Sequence, residues 1–204
     1  MTKKAKLTRY VTPLGTAQYP WLTKPDTKFN ADGTYSVALT FRDDDGTFTT
    51  LINREFEAAV AKAKEQNEGK KIKSADLPIT ENEDGSITLK FKLNAKVTPK
   101  NGEPFEQRPA LFDAKGTPLG LDTKIGGGTK MKIAFECAPF YTALIGAGIS
   151  LRLKAAQVIE LVEYSGGGDG SAYGFGKEDG YEAKDSTTEE SSFETTVQEE
   201  TTDF

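Results

Sequence analysis

Histidine is absent from this 204-residue sequence, and cysteine occurs once, as Cys137. Without histidine the chain cannot assemble a Ser-His-Asp or Cys-His nucleophile, and zinc finds no Cys/His cage. A lone cysteine cannot form an intramolecular disulfide, so a reducing compartment fits, and we expect Cys137 to be a small buried hydrophobe. Acidic residues are plentiful, but they show no recognisable spacing for a metal ion or a catalytic carboxylate pair. We therefore expect a protein that is not an enzyme and needs no cofactor.

Long apolar segments are missing as well. No run of about 18 apolar residues occurs, so no transmembrane helix is predicted. The basic start, residues 1–6, is not followed by an apolar segment, so no signal peptide is predicted. We expect a soluble protein, without a membrane partner, that stays where it is made.

Positive charge is scarce in the last fifth of the chain. Residues 165–204 hold 2 Lys and Arg against 11 Asp and Glu, whereas residues 1–164 hold 24 against 20. The net charges are −9 and +4, an asymmetry typical of nucleic-acid-binding proteins with an interaction tail. The change falls at the glycine-rich residues 165–170, which predicts a folded domain over 1–164 and a disordered acidic tail over 165–204. Five aromatic residues in that tail, the last being Phe204, suggest short docking points.

Alternating apolar and polar residues predict several half-buried strands. The pattern runs over residues 35–41, 87–97, 129–137 and 149–153, and the apolar run continues over 158–162. Only residues 51–68 show a helical period, with Thr49 or Thr50 able to cap the start and Gly69 the end. Several strands with one helix indicate a mainly β fold, either a small barrel or a sandwich.

The polar faces of these strands carry cations. They are Lys90, Lys92 and Lys96 on one strand, Lys130 and Lys132 on the next, and Arg152 and Lys154 on the last. Alternate side chains on a strand lie about 7 Å apart, so such a row can follow an extended phosphate backbone. If the strands are neighbours, the rows merge into one face that binds polyanions by counterion release. The alternative is that these lysines only solvate the strands and protect their edges.

Aromatic residues beside proline are candidates for base stacking. Phe140 and Tyr141 follow Pro139 in a stretch that we interpret as a loop, and Tyr19 and Trp21 flank Pro20. Sequence-tolerant binding of single strands uses exposed rings of this kind. Trp21 fits a packed position as well as an exposed one. The glycine-rich 125–130 does not have Walker A spacing and precedes a strand, so we interpret it as a strand-entry turn.

Several segments, in this order along nearly the whole chain, carry a family resemblance. They are 14–17 (LGTA), 24–26 (KPD), 35–40 (YSVALT), 89–92 (LKFK), 125–132 (IGGGTKMK), 159–161 (IEL) and the final Asp203 and Phe204. The chain resembles the single-stranded-DNA-binding protein family of T7-like bacteriophages. Asn94 departs from it, since the family prototype has an aromatic residue there.

The resemblance implies a five-stranded OB-fold barrel with one inserted α-helix, followed by the acidic tail. It implies binding and protection of single-stranded DNA in phage replication, recombination and repair, and annealing of complementary strands in the cytoplasm of an infected bacterium. It also implies a homodimer and contacts of the tail with the phage DNA polymerase and helicase-primase. By position, Lys3, Lys90, Lys92 and Phe140 would contact DNA and Phe204 would dock on partners.

Together the cation rows, the aromatic candidates and the resemblance give one set of expected site residues. The DNA-binding residues are Lys3, Lys4, Lys90, Lys92, Lys96, Lys130, Lys132, Phe140, Tyr141, Arg152 and Lys154, and the partner-binding residues are Asp203 and Phe204.

Two other functions remain open on the residues alone. The chain could be a protein-interaction adaptor whose tail is the working part and whose barrel is a scaffold. It could also be a carboxylate- and metal-dependent nuclease, although the missing acidic constellation disfavours this.

Overall fold

The computed structural model of the chain describes residues 7–68, 71–99 and 102–163. These ranges contain one helix and ten strands. The elements are β1 (Arg9–Val11), β2 (Gly15–Asp26), β3 (Thr34–Arg42), α1 (Thr47–Gln66), β4 (Thr80–Glu81), β5 (Ser86–Asn94), β6 (Lys96–Val97), β7 (Phe105–Glu106), β8 (Ala110–Phe112), β9 (Lys130–Thr142) and β10 (Gly146–Glu160).

Five of the strands form a ring. β2 pairs with β3, β3 with β5, β5 with β10, β10 with β9, and β9 with β2. All these pairs are antiparallel except β5–β10, which is parallel. A five-stranded, partly open Greek-key barrel of this kind is the OB-fold, so the predicted mainly β fold is confirmed. The ring is closed unevenly, because the β2–β9 seam has two register pairs and the β5–β10 seam has one.

The barrel interior holds the apolar residues that alternate along the strands. Leu39, Leu89, Phe91, Phe135 and Leu153 are fully buried. The rings of Phe91 and Phe135 lie 5.1 Å apart between centroids. Burying a side chain of this size stabilises the fold by about 1.5–3 kcal/mol. The inward faces predicted from alternation are therefore the core.

Cys137 lies on the same inward face of β9 and is buried. Burial raises the pKa of its thiol to about 12. The residue is a packed, neutral thiol at physiological pH, and the expectation that Cys137 is a small buried hydrophobe is confirmed.

Helix α1 begins earlier than the sequence predicts. Its N-cap is Gly46, in the left-handed conformation, so the expectation that Thr49 or Thr50 caps the helix is wrong. The Asp43 carboxylate instead accepts hydrogen bonds from the N–H groups of Phe48 (3.0 Å) and Thr49 (2.7 Å). Desolvation opposes ionisation of Asp43, but these hydrogen bonds outweigh it and lower its pKa. One carboxylate thus satisfies two of the free N–H groups at the helix start.

The apolar face of α1 packs on the barrel as predicted. Ile52 and Ala59 join the main core, while Val60 and Ala63 pack with Ala147 of β10. The helix ends at Gln66, and the Asn67 side chain donates to the Ala63 carbonyl at 2.9 Å. Gly69, the predicted end cap, lies outside the described residues. Within the described ranges, no helix combines the length and the hydrophobicity needed to cross a bilayer.

Two strand boundaries differ from expectation. The predicted strand over 87–97 breaks at Ala95, and Lys96 belongs to β6, which pairs with β7 in a small separate hairpin. The stretch after Pro139 is not a loop, because Phe140 and Tyr141 continue β9 and pair with Gly148 and Ala147 of β10. Beyond Glu136, β9 pairs with β10 alone among the described strands, and a proline at such an edge interrupts no second ladder.

Candidate nucleic-acid interface

Four cations converge where β5 and β10 meet. Lys92 and Arg152 are register partners in the parallel pair, so their side chains leave the barrel on the same outer face. Lys90 lies two residues before Lys92, and Lys154 two residues after Arg152. Lys90, Lys92 and Arg152 are exposed, and Lys154 is half-buried.

These side chains line a groove of about 750 Å³, which we call the cationic groove. Its lining residues are Pro78, Lys90, Lys92, Leu93, Asn94, Val97, Pro99, Phe105, Gln107, Ser150, Leu151, Arg152 and Lys154.

The groove cations form no ion pair among the described residues, although Glu136, the register partner of Arg152 on β9, is an acidic neighbour. The ion pairs found in the described ranges are Arg9–Glu136, Arg54–Glu55 and Lys130–Glu160, and none involves a groove cation. Like charges on neighbouring strands repel and slightly destabilise the sheet. A polyanion lying along the groove would relieve this repulsion and release its own counterions.

The β6–β7 hairpin forms one wall of the cationic groove. Gln107 fixes it to the end of β5, since its side chain donates to the Asn94 carbonyl at 3.0 Å and its N–H to the Ala95 carbonyl at 2.8 Å. Phe105, paired with Val97, places a ring beside the cations and is 48% exposed. The sequence analysis missed Phe105, although it follows Pro104 and so carries the same signal as the aromatics considered there.

The lysines of β9 lie elsewhere on the barrel. Lys130 is paired with Glu160, with 2.8 Å between Nζ and Oε2, and Lys132 has Gln157 as its register partner. The residue of β9 that lies beside Arg152 is Glu136. The cation rows of β5 and β10 therefore merge, but the expectation that β9 adds its lysines to the same surface is wrong. Contacts of Lys130 and Lys132 with DNA stay a prediction.

Lys96 is also outside the cationic groove, although it is close in sequence. It is exposed on β6, opposite Glu106 of β7. Lys3, Lys4, Asp203 and Phe204 lie outside the described residues, as does all of the predicted tail. Their roles remain predictions.

Phe140 and Tyr141 are not sealed in the core. Phe140 is half-buried on the outer face of β9, opposite Gly148, and Tyr141 is 39% exposed. A methyl group added at Gly148 would lie 3.0 Å from the Ala75 β-carbon and 3.2 Å from the Phe56 ring, and at 3.4 Å it would make an ordinary contact with the Phe140 ring. Gly148 thus leaves room for Ala75 and Phe56, and the Phe140 ring lies next to the same glycine. Because Ser150 lines the cationic groove and follows Gly148 by two residues, Phe140 lies near one end of it.

A single row of side chains crosses the outer face of the barrel through the cationic groove. Register pairs connect, in order, Trp21, Ser36, Lys92, Arg152, Glu136 and Arg9. The sequence context allowed Trp21 to be either packed or exposed. In the structure it is partly exposed, at 45%.

Acidic clusters suited to a metal are not found in the structured ranges. There, no group of three or more Cys, Asp or Glu side chains is placed to hold a metal ion.

Comparisons with known proteins agree on one family. The family model described as "Single-stranded DNA-binding protein, Bacteriophage T7" matches residues 14–161. The single-stranded DNA-binding protein of Enterobacteria phage T3 is 30% identical over 219 aligned residues, covering 95% of this chain and 94% of that protein. The protein of the same name from Escherichia phage T7 is 30% identical over 183 residues, covering 78% of this chain and 79% of that protein.

Solved structures give the same result. The crystal structure of gp2.5, a single-stranded DNA-binding protein encoded by bacteriophage T7, matches with a TM-score of 0.71 and 31% identity, covering 87% of this chain and 100% of that one. The single-stranded DNA-binding protein of bacteriophage Enc34, in complex with single-stranded DNA, matches with a TM-score of 0.58 and 16% identity, covering 78% and 89%. At that identity the second match shows the fold alone.

Proposed function

Because this chain belongs to the family of the bacteriophage T7 single-stranded DNA-binding protein, we propose that it binds single-stranded DNA through the cationic groove. The members named above are binding proteins and not enzymes. The observation that carries the proposal is the register pair of Lys92 and Arg152, which joins the cations of two strands into one surface.

Binding in this groove combines two physical contributions. Lys90, Lys92, Arg152 and Lys154 neutralise phosphates and release counterions, a contribution that does not depend on base sequence. Phe105 beside the groove and Phe140 near its end offer partly exposed rings to unpaired bases. A duplex hides its bases in the stack, so the rings favour single strands.

The biological role follows from these properties. A protein that covers exposed strands protects them during phage replication, recombination and repair in the cytoplasm of the infected bacterium. Neutralised phosphates on two complementary strands repel each other less, which promotes their annealing.

The acidic tail provides the regulatory part of the proposal. Residues 165–204, with a net charge of −9, compete with DNA for the +4 domain over 1–164. DNA that displaces the tail frees Asp203 and Phe204 for the phage polymerase and helicase-primase. In a homodimer the tail of one protomer reaches the groove of the other. These statements rest on the charge distribution and the family resemblance.

An oligonucleotide retention assay tests the proposal. The full chain is expected to retain a single-stranded oligonucleotide, to retain a duplex of the same length poorly, and to lose binding as salt increases. Equal retention of both forms would instead support the adaptor, which has no preference for single strands. Cleavage of labelled DNA with magnesium or manganese would support the nuclease.

A further inference from the structure

Strand β2 contains an irregularity that turns two aromatic side chains outward. Gln18 pairs with Ala38 and Trp21 with Ser36, so β2 uses one more residue than β3 over this stretch. Without that bulge, alternation from the buried Ala17 would direct Tyr19 and Trp21 into the barrel. With it, Tyr19 is 83% exposed, Trp21 is 45% exposed, and Leu22 takes the inward position at 2%. Bulges commonly re-aim side chains beside binding sites.

The bulge is held in a strained conformation. Tyr19 has a φ of 48° and is the single non-glycine residue with positive φ in the described ranges. Such a backbone costs about 1–2 kcal/mol for a residue with a side chain. The strained backbone holds an exposed ring that contributes little to the core, so packing of the core does not account for the strain. Backbone strain of this kind is typical of functional sites.

The two rings form one wall of a second groove, with a volume of about 740 Å³. Leu121 and Ile125 on the facing segment complete it, and we call it the aromatic groove. Gly126 and Gly127 of the glycine-rich segment also line it, and a methyl group added at Gly127 would meet nothing within 4 Å. The groove is therefore open and lets a flat ligand approach the backbone.

Charged residues of both signs stand at the aromatic groove. Lys24 and Lys124 line it together with Asp122, which leaves a small excess of positive charge. Apolar rings with a few cations suit a nucleotide, because its base can stack on the rings while its phosphate lies near the cations.

The aromatic groove shares a face with the cationic groove. Trp21, Ser36 and Lys92 are successive register partners on β2, β3 and β5. Neighbouring strands lie about 4.8 Å apart, so Trp21 and Lys92 project from the face about 10 Å apart. Between them stands only Ser36, whose small side chain leaves a strand free to cross.

We propose that the aromatic groove is a second DNA subsite, in which unpaired bases of the strand held by the cationic groove stack on Trp21 and Tyr19. This subsite rests on the proposed function, because the cationic groove must hold the strand for its bases to reach Trp21. It contributes through bases, whereas the cationic groove contributes through phosphates.

The fluorescence of Trp21 tests the subsite directly, because Trp21 is the only tryptophan in the chain. The full chain is titrated with labelled oligo(dT) and with an abasic oligomer of equal length, which carries the same phosphates without bases. Anisotropy of the label reports binding, and tryptophan emission reports stacking. Both oligomers are expected to bind, with oligo(dT) binding more tightly and quenching Trp21 more strongly.

Substitutions supply a second measurement. W21A is expected to weaken oligo(dT) binding about 5- to 100-fold, the loss of one stacked base, with little change for the abasic oligomer. The salt slope should be unchanged, since no phosphate contact is removed. W21F keeps a stackable ring and should restore most of the affinity. Y19A tests the second ring independently, and V11A, an exposed position lining neither groove, is the matched control.

The possible results of these experiments distinguish failure of the proposed subsite from failure of the proposed function. Oligo(dT) binding without quenching, and with equal affinity for W21A, Y19A and the unsubstituted chain, would overturn the subsite and leave the proposed function intact. Failure of the unsubstituted chain to bind oligo(dT) at all, seen by anisotropy, would overturn both.

Discussion

Lys92 of β5 and Arg152 of β10 are register partners across the parallel seam of the barrel, and both side chains are exposed. Sixty positions separate them in sequence, so the pair exists only once the ring of strands has formed. Two cations at such a position disfavour folding slightly and favour a polyanionic ligand.

The first prediction concerns the salt dependence of DNA binding. K92A and R152A are each expected to weaken single-strand binding and to reduce the slope of log K against log salt by about 0.7 per lost phosphate contact. K62A is the matched control, because Lys62 is an exposed cation of α1 that lines neither groove. Binding measured from low to moderate salt checks this. An equal loss of slope in K62A would show that the effect is one of overall charge and not of the cationic groove.

The second prediction concerns Asp43 and pH. D43A removes the acceptor of two helix N–H groups and should lower the free energy of unfolding by about 0.5–2 kcal/mol at pH 7. The folded-state pKa is lowered, so the stabilisation is complete above the unfolded pKa near 3.8 and is lost as pH falls through the folded value.

Denaturant unfolding of D43A and of the exposed neighbour variant D44A, at neutral and acidic pH, checks this prediction. The stability gap between D43A and the unsubstituted chain should narrow as pH falls below 3.8. A gap that is independent of pH, or one reproduced by D44A, would mean that the carboxylate does not act as a cap.

The local sequence pattern predicted which side chains of a strand face inward better than it predicted which strands lie side by side. Alternation alone assigned Leu89 and Phe91 to the core and Lys90 and Lys92 to the surface, because side-chain direction on a strand has a period of two residues. Alternation could not predict that Arg152 pairs with Lys92, since the register between strands distant in sequence depends on the closed barrel.

The errors have local physical causes. Proline suggested a loop at Pro139, but this part of β9 pairs with β10 alone among the described strands, so the missing N–H does not interrupt a second ladder. The helix start was misplaced because Asp43 caps it from outside the usual N-cap position. The bulge at Tyr19 had a signal in Pro20, whose missing N–H disfavours a regular ladder.

The third prediction concerns the reactivity of Cys137. Its burial raises the thiol pKa to about 12, so almost no thiolate exists at pH 8 in the folded protein. A thiol reagent is therefore expected to modify the native chain much more slowly than the chain in denaturant, where the pKa returns to about 8.5. Reaction of the native protein at the denatured rate would contradict the burial.

The fourth prediction separates strain from binding at Tyr19. Y19G relieves the left-handed strain of about 1–2 kcal/mol, offset by about 0.4–1 kcal/mol from the greater freedom of glycine in the unfolded chain. Because the ring is 83% exposed, little burial is lost, and the free energy of unfolding should rise by up to about 1.6 kcal/mol. Y19A loses the same ring but keeps a β-carbon at φ 48°, so it should bind DNA as weakly as Y19G without gaining stability. Denaturant unfolding and oligo(dT) titration of both variants check this; a Y19G variant less stable than Y19A would mean that the bulge is not strained.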